Sequence, residues 1–130
     1  MKHIKIQGIF GILFLCLSMA ACTPKPETTA RDFVNAMTRT DFDKAKELCT
    51  IETQHNIDFF AVLIGNQKEE VRNTPVKFEI DKSISSVNND TVQIIGRLYG
   101  EEGTKLLKKI DLQIIKHDNK WLVNYNKQGY

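Results

Sequence analysis

Proton transfer is the chemistry that the side chains of this 130-residue chain come nearest to offering, through His55, His117, Asp111, Tyr99 and Tyr125. General acid–base work needs two such groups within hydrogen-bond reach, and no spacing here brings a pair together. His117 stands beside Asp118 among turn-forming residues and His55 lies in a polar helix start, so both read as solvated. Asp111 alternates with Ile110 and Leu112 and faces away from any core those residues join; Tyr99 lies on the same outer side. Tyr125 keeps the phase of Trp121 and Val123. It reads as a core tyrosine, or as a pocket wall with its hydroxyl as polar handle. Cys49, His55 and His117 match no compact zinc spacing, so no metal is expected, and no cofactor. Gly96, Gly100 and Gly103 lie in hairpin context without a following helix, which argues against a phosphate loop. Lys105, Lys108 and Lys109 form a short basic run, read as a solvated strand face or as contact with an acidic partner or anionic head groups. No catalytic residue is assigned.

Charge narrows the partners. The chain carries 18 Lys+Arg against 16 Asp+Glu, but Lys2 and Lys5 are the only charges before Lys25. Residues 22–130 are therefore neutral, which argues against a nucleic-acid binder. A length of 130 residues fits one domain, and 42% hydrophobic residues are enough to build a core.

Residues 1–5 are short and basic, and no charge occurs from residue 6 to residue 24. A basic start, an apolar middle and then small residues are the layout of a secretory signal. The run ends in Met19-Ala20-Ala21-Cys22, which resembles the lipobox of bacterial lipoproteins. The resemblance implies that residues 1–21 are removed and that Cys22 carries a diacylglycerol thioether. Thr23, where an Asp would favour inner-membrane retention, implies delivery to the outer membrane of a Gram-negative cell. Two other readings stand beside this one: ordinary cleavage near Ser18-Met19-Ala20, or a retained anchor, though the stretch barely reaches the ~20 residues of a span. With Cys16 removed and Cys22 acylated, Cys49 has no disulfide partner, and Ala45-x-x-Leu48-Cys49 spaces it as a buried small hydrophobe. Residues 22–29 are expected to be the lipidated Cys and tether, and residues 30–127 the domain.

The elements that must position these residues follow from period. Ala30, Phe33, Val34 and Met37 make one helical stripe. Phe42, Ala45, Leu48 and Cys49 make a second, capped by Thr40 or Asp41. Residues 53–64 predict a nearly buried helix ending at Gly65, with a strand as alternative; residues 66–75 are a polar connector, helical in part. Beyond Pro75 the period becomes two: Val76, Phe78, Ile80 and Ile84; Val92, Ile94 and Leu98; Leu106, Ile110, Leu112 and Ile114; Trp121, Val123 and Tyr125. Turn residues separate the runs, and Gly96 marks a bulge or bend. The expected fold is α+β, with N-terminal helices on a curved four-stranded antiparallel sheet.

This order, with Thr40-x-Phe42-x-x-Ala45 and the closing Asn119-Lys120-Trp121-Leu122-Val123 hairpin, resembles small envelope lipoproteins with a domain of unknown function in the nuclear-transport-factor-2-like (cystatin-like) superfamily. The resemblance implies a cone with a sheet wrapped round a helix and often a pocket between them, lined here by Phe33, Met37, Trp121 and Tyr125. It does not imply one activity; the expected role is a non-catalytic ligand- or protein-binding domain, held to the membrane at Cys22. The alternative is an enzyme of the same fold, using Tyr125 and a carboxylate for proton transfer or hydration. Ile95, Tyr99, Ile115 and Leu122 on the outer sheet face are the expected surface for a homodimer or protein partner.

Overall fold

The computed structural model describes residues 25–101 and 103–125, so the expected signal peptide and the expected lipidation site, Cys22, lie outside the described residues. Helix α1 (Pro26–Thr38) opens with Pro26 in its first turn and buries Thr29, Ala30, Phe33, Val34 and Ala36. Its first turn is Pro26 to Thr29, the last residues of the expected tether, and Thr29 is buried. At its other end the Asp41 and Thr40 amides donate to Ala36 and Met37 carbonyls at 2.8 and 3.1 Å, the double bond pattern of a Schellman stop. Thr40 takes the left-handed conformation at φ +58°, unusual for a β-branched residue, and its hydroxyl accepts from Arg72 Nε at 3.2 Å.

Asp41, not Thr40, caps α2 (Phe42–Glu47), its carboxylate accepting from the Lys44 amide. Thr50 caps α3 (Ile51–Ile64), which is followed by a 3-10 turn (Gly65–Gln67) and α4 (Lys68–Asn73). Then come β1 (Lys77–Ser85), β2 (Thr91–Gly100), β3 (Lys105–His117) and β4 (Lys120–Val123). They form one open antiparallel sheet in the order β1-β2-β3-β4. The chain is thus a small α+β domain with N-terminal helices packed against four antiparallel strands. Ile94, Ile114, Val123, Val92 and Leu112 from the sheet meet Ala30, Phe33, Val34, Ala36, Ala45 and Ile57 from the helices and Cys49 from the link between α2 and α3.

Two bulges break the predicted alternation. Ile80 pairs with Gly96 but Lys82 with Ile95, so Asp81 is an extra residue in β1. Beyond it the phase reverses, and Ile84, expected inside, pairs with Gln93 on the outer face and is half exposed. In β3, Leu98 pairs with Lys108 but Tyr99 with Leu106, leaving Leu107 extra. Leu106, also expected inside, therefore shares the outer face with Tyr99. Leu107, expected outside, instead packs over Gly100, where its side chain occupies the space that a Cβ would need. The β1 insertion lies opposite Gly96, the residue that marks a bulge or bend in the sequence, whereas the β3 insertion has no sequence signal of its own, because the alternation on each side of it is regular.

Candidate functional site

The site is a groove created by how α3 is fastened. At its N-terminal end the Thr53 hydroxyl accepts from the Tyr125 amide at 2.9 Å, and the Asn56 amide donates to the Tyr125 carbonyl at 3.2 Å. Thr50 donates to the Asn124 side chain, and its amide donates to the Val123 carbonyl at 2.9 Å, so the start of α3 is locked to the edge of β4. Thr53 and Ile57 are buried. Beyond Ile57 the helix loses this support. Phe59, Val62 and Leu63 are 60–79% exposed, contrary to the nearly buried helix expected from an all-round apolar run. A run apolar on every side predicts burial only if the fold supplies a neighbour on every side, and among the described residues Phe59, Val62 and Leu63 are left largely uncovered.

Under that overhang lies an open cavity of about 630 Å³. Phe33 and Met37 of α1, Phe60 and Leu63 of α3, and Leu98 and Ile110 of the sheet form its main walls, with Tyr125 at the fastened end. Its size lies within the ~300–1,000 Å³ typical of small-molecule sites, which are mostly apolar with a few polar groups. Of the four expected lining residues, Phe33, Met37 and Tyr125 are there. Trp121 is not: it packs on the core further along the inner face, with Lys116 Nζ 5.8 Å from its ring centre. Sequence reasoning missed Phe60, Leu63 and Lys108. The signal for the first two was the unbroken run from Phe59 to Ile64, taken for core rather than for a wall.

The acid–base candidates do not meet. Asp111 faces the outer side, where Gln93 Nε2 holds both its oxygens at 3.0–3.1 Å, so its carboxylate is turned away from Tyr125. His117 and Asp118 lie 3.5 Å apart and exposed in the last turn, and His55 is exposed on α3. Among the described residues no cluster of three potential metal ligands occurs, and no helix is long and apolar enough to cross a membrane. The outer-face residues are separated too. Tyr99 lies in a row with Lys77 and Leu106, Ile95 with Lys82 and Asp111, and Ile115 with Leu122. Between Tyr99 and Ile95 runs the row of Arg97, which grips Asp81 at 2.8–3.1 Å. Between Ile95 and Ile115 run Gln93 and Gln113. All four apolar residues are half-buried rather than exposed.

A second cleft, of about 730 Å³, lies where the end of α1, the start of α2 and α4 meet. It mixes Asp32, Asp41 and Asp43 with Arg39, Lys44, Lys68 and Arg72. Lys68 sits over the Phe42 ring and Arg72 is bound to Thr40, so two of its cations already serve the fold.

Cys49 is buried as expected and is a free thiol. Burial pushes its pKa up to about 11, opposed by the Lys46 charge. Since the thiolate is the nucleophile, alkylation of Cys49 by iodoacetamide should be negligible in the folded chain at about pH 8 and rapid once the chain is unfolded. Mass spectrometry of the Cys49 peptide measures this. The folded thiol keeps a proton that the unfolded one releases from about pH 9, so folding stability should fall as pH rises from about 9 to about 11.

The fold and site together define a small α+β domain with an open apolar groove beside its core. No protein-family model, no curated protein and no solved structure matches this chain.

Proposed function

We propose that this chain is a lipid-anchored protein of the bacterial cell envelope whose domain, a nuclear-transport-factor-2-like cone, binds a ligand in the groove between α1, α3 and the sheet. The observation that carries the reading is the exposed apolar surface of the second half of α3. Exposing Phe59, Phe60 and Leu63 next to an apolar cavity costs solvation free energy that an occupant recovers. The lipobox-like Met19-Ala20-Ala21-Cys22 supports the anchor, and Thr23 supports outer-membrane delivery. Binding is favoured over catalysis because the candidate carboxylate, Asp111, faces the opposite side of the sheet from Tyr125.

Both halves of the reading are testable on the full chain expressed in a Gram-negative host. A clickable palmitate should label the wild type, whereas Cys22→Ser should take no label and accumulate as the longer precursor. Normal processing of that variant would reject the anchor. For the groove, a neutral twelve-carbon alcohol bearing a terminal diazirine should photolabel peptides of α1 and α3. Met37→Trp fills the groove and should cut that labelling about fivefold, equivalent to losing about 1 kcal/mol of burial. Labelling that ignores Met37→Trp would place the binding elsewhere.

A further inference from the structure

The groove has one inward charge. Lys109 and Asp111 lie along its sheet wall, but strand alternation turns their side chains to the outer face, where Lys109 pairs with Arg97 and Asp111 with Ile95. Lys108 differs because it keeps the inward phase of Ile110 and Leu112, and the bulge beyond it adds Leu107 to the same inner side. Leu107 covers Gly100, and Lys108 lies opposite the half-buried Leu98 and lines the cavity. Lys108 makes no ion pair with any described residue, although Lys46, Lys77, Arg97 and Lys105 all do. A cation without a counterion, at the edge of apolar walls, offers an anionic group a charge-assisted hydrogen bond.

We infer that the groove takes a single-chain amphiphile with an anionic terminus, its tail between Phe33, Met37, Phe60 and Leu63 and its carboxylate on Lys108. This rests on the groove being the binding site and adds the chemical class of its ligand. The walls supply apolar area on both sides of a tail, and one cation suits one anionic group. No inward carboxylate is present among the lining residues to hold a cationic ligand.

The test uses the full chain in membranes and two photoprobes, dodecanoate and dodecanol, each with a terminal diazirine. Dodecanoate should label the α1 and α3 peptides at least about fivefold more than dodecanol, the effect of one charge-assisted hydrogen bond. Lys108→Gln should abolish that preference while leaving dodecanol labelling within about twofold, and Lys108→Arg should keep it. Lys108 is exposed, so neither substitution disturbs the core. Equal labelling of the wild type by both probes, or a preference that survives Lys108→Gln, overturns the anionic ligand and leaves the groove intact. If neither probe labels α1 or α3, the groove reading falls and this inference with it.

Discussion

Ile114→Ala should destabilise the domain by about 3–4 kcal/mol, while Ile115→Ala, one residue further along the same strand, should cost less than about 1.5 kcal/mol. Ile114 is fully buried and pairs with Val123, itself fully buried, at the centre of the contact between sheet and helices. Truncating it removes three carbons from the densest part of the core and leaves a cavity that two adjacent strands keep from collapsing. Ile115 points to the other face, where it is half-buried beside Leu122 and Thr91 and loses only partial solvent shielding. Urea unfolding of the two variants measures the contrast, read as a shift of midpoint at constant slope. Equal losses would mean that the outer face is as buried as the inner one, as a dimer through the sheet would make it.

Gly96→Ala should cost about 2–3 kcal/mol or more, far above the few tenths usual for an exposed strand glycine. A Cβ on Gly96 would stand 2.6 Å from the Glu79 carbonyl oxygen and 2.6–2.8 Å from the Phe78 ring. The ring lies across the bare glycine backbone, and this lets Phe78 pack against the core from an edge strand. The ring can rotate away only by giving up that packing. The carbonyl oxygen is backbone next to the Asp81 bulge and cannot move without breaking the β1–β2 register. The same urea experiment tests this, with Phe78→Ala as partner: if the ring is the main obstacle, the double variant should lose less than the sum of the two singles. Full additivity would make the carbonyl the obstacle.

Most of the architecture was legible because its signals are local. Ala30, Phe33, Val34 and Met37 repeat at helical spacing, and Asn88-Asn89-Asp90 and Asp118-Asn119 sit where the chain turns, with Asn89, Asp118 and Asn119 at positive φ. What failed depended on counting across a bulge. Ile84 and Leu106 keep a perfect alternation with their neighbours in sequence, yet one inserted residue in each strand carries them to the opposite face. The groove was half legible. Phe33, Met37 and Tyr125 were in the right phase, but its second wall depends on where α3 comes loose from the sheet, a matter of Thr53 and Asn56 reaching residue 125 across the fold.

By itself, then, the sequence determined the α+β order, the four-strand meander, the neutral charge of residues 22–130 and the burial of Cys49, all set by residue type, period and short-range turn chemistry. Tertiary structure alone decided which apolar residues are core and which are groove. Phe59 to Leu63 are as hydrophobic as Ile94 or Ile114, but hydrophobicity states only a preference for burial. Whether it is met depends on the number of neighbours the fold supplies. The second half of α3 meets α2 through Phe60 and Phe42 but is left open on its other sides, so Phe59, Phe60 and Leu63 border an open space with Lys108 at its edge.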